Sequence, residues 1–167
     1  MTYAELQERI KDNEPDWESF FNDLSDGYAI LQVRDDLPEQ RNISFCSYKQ
    51  AFGFLQRDPC REDYNMLYAE AFENNKITEI VNLNARYDKN TALGEYIYER
   101  FNEDSRPGIN EGYYGTSLRI SDVLLVKEAE KITALYVDMF GFKEMKDFKP
   151  YKHFEKETAK EDVMHGR

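Results

Sequence analysis

The chain has 167 residues, a net charge of −11, and 41% apolar against 33% charged side chains. That size and apolar content suit a single domain that buries a core without metal or disulfides, and they exclude a disordered chain. No run of about 18 apolar residues occurs, so no bilayer-spanning helix is expected, and the segment 1–10, which carries Glu5 and Glu8, lacks the apolar stretch of a signal peptide.

In chain order, residues 2–24 read as two helices. Thr2-x-x-Glu5 is a capping-box pattern before Leu6 and Ile10, and Pro15 suits the first turn of a second helix. Trp17, Phe20, Phe21 and Leu24 then share one helical face. Asp26-Gly27 breaks the pattern, and 28–33 reads as a strand. A loop over 34–41 and a short strand at 43–45 are expected next. Ser47-x-x-Gln50 then opens a helix through Ala51, Phe52 and Leu55 that Asp58-Pro59 ends. Residues 64–72 read as a third strand. Ile77, Ile80 and Val81 fit a short helix, and Thr91 caps a helix over 92–101. The strands 118–126 and 132–140 are rich in β-branched and aromatic residues, and the five polar residues 127–131 make them a hairpin. Gly141 marks a bulge or turn. From Lys143 the chain is charged and expected to fray, with a short helix near 154–163.

The acidity is uneven: residues 1–40 hold eleven Asp and Glu against Arg9, Lys11 and Arg34. Such a field repels nucleic acid and anionic lipid and favours basic protein partners. His153 and His165 are the only histidines and lie in the charged tail, so no His-based triad or zinc site is expected in the body. No phosphate-binding glycine loop and no HExxH is present. Cys46 and Cys60, without a secretory signal, fit free thiols in a reducing, cytoplasmic compartment. No cofactor is expected.

Three features are candidates for function. Asp122 and Asp138 stand on the two hairpin strands; pairing 126 with 132 brings 122 near 136, close enough for a metal-binding or acid–base pair. The ordinary alternative is that each carboxylate faces solvent or accepts backbone hydrogen bonds. Tyr113-Tyr114, beside two glycines, suits an exposed recognition loop, or else simple packing. The acidic arm, with Glu14, Asp16, Glu18 and Asp23, suits a basic partner, or else is a solvated helical face.

The second half carries a resemblance. Phe101-Asn102 at a helix end, Ser117-Leu118 with Ser121-Asp122-Val123, and Tyr136-Val137-Asp138 with Gly141-Phe142 together resemble the YodL-like domain, over residues 27–148. The resemblance implies a small domain common in Firmicutes mobile and conjugative elements, and it carries over no catalytic residue. The segment 1–26 and the stretch 73–91 depart from the family pattern. The expected architecture is therefore α+β: a mainly antiparallel sheet of four to five strands with helices on one face (27–148), an N-terminal helical arm (1–26) and a charged tail (149–167). The expected function is non-enzymatic: an acidic inhibitor or adaptor from a mobile element that binds the basic surface of a protein such as a restriction or CRISPR nuclease. The alternatives are a regulatory module acting on a cell-structure or sporulation protein, and a metal-dependent enzyme built on Asp122 and Asp138.

Overall fold

The computed structural model describes residues 1–102 and 117–148. Thr2 starts the first helix as its spacing predicts. Its Oγ1 accepts the Glu5 amide at 3.1 Å and opens α1 (Tyr3–Lys11). Asp16 caps α2 (Trp17–Asn22) in the same way, accepting from the Ser19 amide at 3.0 Å. The apolar sides of both helices are buried, and what they cover is the sheet: Leu6, Ile10, Trp17 and Phe20 share one core with Ala29, Leu31, Val123 and Leu125. The Tyr3 hydroxyl donates to the Ser25 carbonyl at 2.6 Å. A methyl group at Gly27 would collide with the Tyr3 ring, so glycine there lets the arm sit flush on the first strand.

The remaining elements are β1 (Gly27–Val33), α3 (Pro38–Arg41), α4 (Tyr48–Leu55), a single 3₁₀ turn (Arg61–Asp63), β2 (Tyr64–Ala71), α5 (Lys76–Leu83), α6 (Lys89–Asn102), β3 (Val123–Glu128), β4 (Lys131–Val137) and β5 (Phe142–Met145). The strands form one sheet in the order β2-β1-β3-β4-β5, every neighbouring pair antiparallel. The α+β expectation holds with five strands, but helices cover both faces rather than one. β1 is buried at all seven positions, so neither of its faces can be left to water. One face packs against α1, α2 and Ala51 of α4. The other packs against Ile77 and Ile80 of α5 and Leu93, Ile97 and Phe101 of α6. On that side, a methyl group at Gly94 would lie 2.7 Å from the Phe142 ring, so α6 approaches β5 closely.

Several local expectations are corrected. Residues 43–45 form a turn, not a strand: Ile43 is buried, Cys46 donates its amide back to the Ile43 carbonyl, and Phe45 has φ 64°, which ends any extended run. The loop 34–41 contains the short helix α3, with Pro38 in its first turn. Asp88, not Thr91, supplies the side-chain cap of α6, accepting the Thr91 amide at 2.8 Å. The β3–β4 turn has two residues, Ala129 and Glu130, with φ of 50° and 69°. This is the mirror-type hairpin turn, which Asn-Gly announces and Ala-Glu does not. The register therefore pairs Val126 with Thr133, one residue from the expected 126–132. β3 begins at Val123 and β4 ends at Val137, so Leu118 and Phe140 lie outside the strands. Past Gly141, at φ 78°, the chain adds the edge strand β5 where a frayed tail is expected. Its Lys143 and Glu144 are the charges an edge strand tolerates. In β2, Leu67 has no partner across from β1; this bulge lets Met66 and Ala69 face the same core. Tyr113, Tyr114 and the helix expected at 154–163 lie outside the described residues.

Candidate functional site

Three polar positions of the second-half pattern converge on one stretch of backbone. The Ser121 hydroxyl accepts the Phe45 amide at 3.0 Å. The Tyr136 hydroxyl donates to the Cys46 carbonyl at 2.6 Å. Asp138 Oδ1 accepts the Tyr48 amide at 3.0 Å and the Met139 amide at 2.9 Å. Ser47 then closes a complete capping box with Gln50 and launches α4. The sheet end thus grips residues 45–48 from β4 and from the turn before β3. Ser121 itself adopts φ 91°, a strained conformation for a side chain other than glycine. Its carbonyl accepts the Tyr64 hydroxyl at 2.8 Å, which ties the turn to β2.

This grip presents apolar side chains to solvent. Phe45 is 65% exposed, Phe52 43%, Met139 60% and Phe140 94%. Tyr48 links two of them: its ring centroid is 6.1 Å from that of Phe52, and its amide is held by the carboxylate that precedes Met139. The turn bearing Met139 and Phe140 is itself closed by the Asp138 amide donating to the Gly141 carbonyl at 3.0 Å. Asp138 and Gly141 thus frame two consecutive outward apolar residues. A signal for this exists in the sequence: two apolar residues between a turn-forming Asp and a Gly belong to a loop, not to the end of a strand.

Asp122 does different work. It is fully buried, and Oδ2 accepts from Gln32 Nε2 and from the Arg119 amide, both at 3.0 Å. Oδ1 has no hydrogen-bond partner among the described residues, although Arg119 Nε lies 3.8 Å away. Burial pushes this carboxyl up to about 7, against the opposing effect of the two donors and of Arg119. The native state therefore holds a proton that the unfolded chain releases near its ordinary value of 3.8. The associated stability is complete below that value and is lost as pH rises through about 7. Between about pH 5 and pH 8, wild type should lose about 2 kcal/mol relative to Asp122→Asn, read as converging urea midpoints.

Asp122 and Asp138 do not face each other across a shared site. Their carboxylates serve separate networks, and among the described residues no three His, Cys, Asp or Glu side chains are placed to hold a metal ion. Of the pattern positions, Phe101 is a core side chain 5.0 Å from the Tyr68 ring, Asn102 is half-buried at the end of α6, and Phe142 packs on Tyr98. In the arm, Asp16 is the α2 cap, and the Ser19 amide holds its carboxyl below the usual range. Glu18 pairs with Arg61 at 2.6 Å. Glu14 and Asp23 are exposed, as are Glu5, Glu8 and Asp12. Both cysteines are free, and burial pushes the Cys60 thiol up to about 12, far from reactivity near neutral pH. A groove of about 600 Å³ between α2 and the β4–β5 edge, lined by Phe21, Ile132, Met145 and Phe148, contains none of these residues. No helix among the described residues is long and apolar enough to cross a membrane.

No curated protein matches this chain, and no solved structure does. A family model described as the YodL-like domain matches residues 27–148. That stretch holds the whole sheet and the three polar positions that grip residues 45–48, and on this match the chain belongs to the YodL-like domain family.

Proposed function

We propose that this protein is a binding module, an acidic inhibitor or adaptor, that takes a protein partner with a basic surface around an apolar pocket. The observation that carries the reading is the rim of Phe45, Phe52, Met139 and Phe140, exposed on a backbone whose amides and carbonyls are held by Ser121, Tyr136 and Asp138. Large apolar side chains on a fixed scaffold are the usual anchors of protein interfaces, because little entropy is lost when they dock. The acidic helices lie on the same sheet face as α4 and leave Glu5, Glu8, Asp12, Glu14 and Asp23 in solvent. Such a row speeds the approach of a basic partner more than it tightens the final complex. A nucleic-acid-binding enzyme, such as a restriction or CRISPR nuclease, is the partner class whose basic groove suits this row.

The test is capture of a partner from host lysate by three full-length chains: wild type, Phe45→Ser/Phe140→Ser, and Glu5→Gln/Glu8→Gln/Glu14→Gln/Asp23→Asn. Loss of the two anchors should weaken binding by roughly 30-fold or more. The neutralised arm should slow association and flatten its salt dependence. Capture that is unchanged in both variants would show that the partner uses neither surface.

A further inference from the structure

We propose that Asp122 and Arg119 form a proton-operated latch for Phe45 and thereby regulate the rim. The regulatory part rests on the rim reading above; the latch itself does not. Asp122 Oδ1 and Arg119 Nε are both buried, both without a hydrogen-bond partner among the described residues, and 3.8 Å apart. That separation is too long for a hydrogen bond. The guanidinium instead contacts two other groups, its carbon 4.5 Å from the Phe45 ring centroid and its Nη2 3.4 Å from Asp35. This is a geometry suited to a neutral acid beside a cation held elsewhere.

Ionising Asp122 would place a carboxylate charge in a fully buried position where only Oδ2 meets hydrogen-bond donors, which is costly. Arg119 Nε is the nearest relief, and a movement of about 1 Å brings it within hydrogen-bond range. The same movement draws the guanidinium off the Phe45 ring and away from Asp35. Phe45 feels the change twice, through its ring and through its amide, which is bound to Ser121, the residue before Asp122. The groups facing Asp122 leave it as the switch. β1 contributes Gln32, which does not titrate. The phenols of Tyr64 on β2 and Tyr136 on β4 are pushed far above neutrality by burial. Arg119 faces Asp122 at 3.8 Å and also contacts Asp35, from the loop after β1, at 3.4 Å. The Asp122 carboxyl, pushed up to about 7 by burial, therefore changes charge in a window where these two phenols do not.

The test is a titration of the Arg119 Nε–H and Phe45 amide resonances in the isolated full-length chain, from about pH 5 to about pH 9. Both should shift with one midpoint near 7, stay flat in Asp122→Asn, and still shift in Asp35→Asn. A flat Arg119 resonance in wild type overturns the latch, and so does a titration that survives in Asp122→Asn. If Asp122→Asn does not fold, the Asp122 carboxyl carbon decides: it must share the Arg119 midpoint, and different midpoints overturn the proposal. No partner enters this readout, so a failed rim reading shows separately, as unimpaired capture by the Phe45→Ser/Phe140→Ser chain.

Discussion

Removal of residues 1–26 is expected to abolish cooperative unfolding rather than to yield a trimmed domain. Seven apolar side chains of that segment are buried: Tyr3, Leu6, Ile10, Trp17, Phe20, Phe21 and Leu24. At about 1.5–3 kcal/mol each, their burial is comparable to the whole stability of a domain, about 5–15 kcal/mol. The deletion also bares Ala29, Leu31, Val123 and Leu125 on the sheet face. It uncovers the edge of β2 as well, where Gln7 Oε1 accepts the Ala69 amide at 3.0 Å. An uncovered edge beside an exposed apolar face is a route to aggregation. Near-UV circular dichroism and a urea titration of the truncated chain measure this; a sharp transition at the wild-type midpoint would show the arm to be a mere appendage. A milder version is Phe20→Ala, expected to cost about 3–5 kcal/mol. The acidic surface of the arm is accordingly probed with charge-neutral substitutions, because a deletion removes core and charge together.

Arg57→Ala should be the most damaging substitution outside the apolar core. Asp63 is fully buried at the 3₁₀ turn before β2, and Arg57 meets it with two hydrogen bonds of 2.7 and 3.0 Å. Gln40 Nε2 and the Cys60 amide complete its shell at 3.1 and 2.9 Å. Burial by itself would raise this carboxyl; Arg57 and the other donors outweigh it and hold it below its ordinary value. Truncating Arg57 leaves a buried carboxylate without its countercharge, at a cost of about 3–5 kcal/mol. The pH dependence follows from the lowered value: the contribution is present above the unfolded carboxylate value of about 3.9 and is lost as pH falls through the native one. Arg57→Ala should therefore lower the urea midpoint at neutral pH and move acid unfolding to higher pH. Asp63→Leu in the Arg57→Met background should recover most of the loss, since replacing both partners with apolar groups removes the unpaired charge. An unchanged midpoint in Arg57→Ala would mean that Gln40 and the Cys60 amide suffice.

Asp63 and Asp122 respond to pH in opposite senses for one physical reason. Both are withdrawn from water, but the first meets a bidentate guanidinium and the second has one oxygen without a donor among the described residues. The number of donors at each oxygen, more than depth of burial, decides which form the fold selects.

Much of the fold was written in local patterns. Thr2-x-x-Glu5 and Ser47-x-x-Gln50 marked helix starts correctly, because a cap depends on residues three apart. The apolar face of Trp17, Phe20, Phe21 and Leu24, the strands β1 and β2, and the β3–β4 hairpin were legible from periodicity, and the family pattern from a run of specific residues. What those faces pack against was not legible. The arm's acidity suggested a surface for a partner, whereas its inner side completes the core. The hairpin register turned on a two-residue turn whose left-handed backbone Ala129 and Glu130 do not advertise. Ser121, Tyr136 and Asp138 stood out as a pattern, but their shared hold on residues 45–48 spans about 75 to 90 positions of sequence and exists only once β3 and β4 lie beside the loop before α4. The same holds for Asp122: that it is an acid is in the sequence, while its burial, with one oxygen lacking a donor among the described residues, is set by tertiary packing, and that burial raises its carboxyl toward neutral pH.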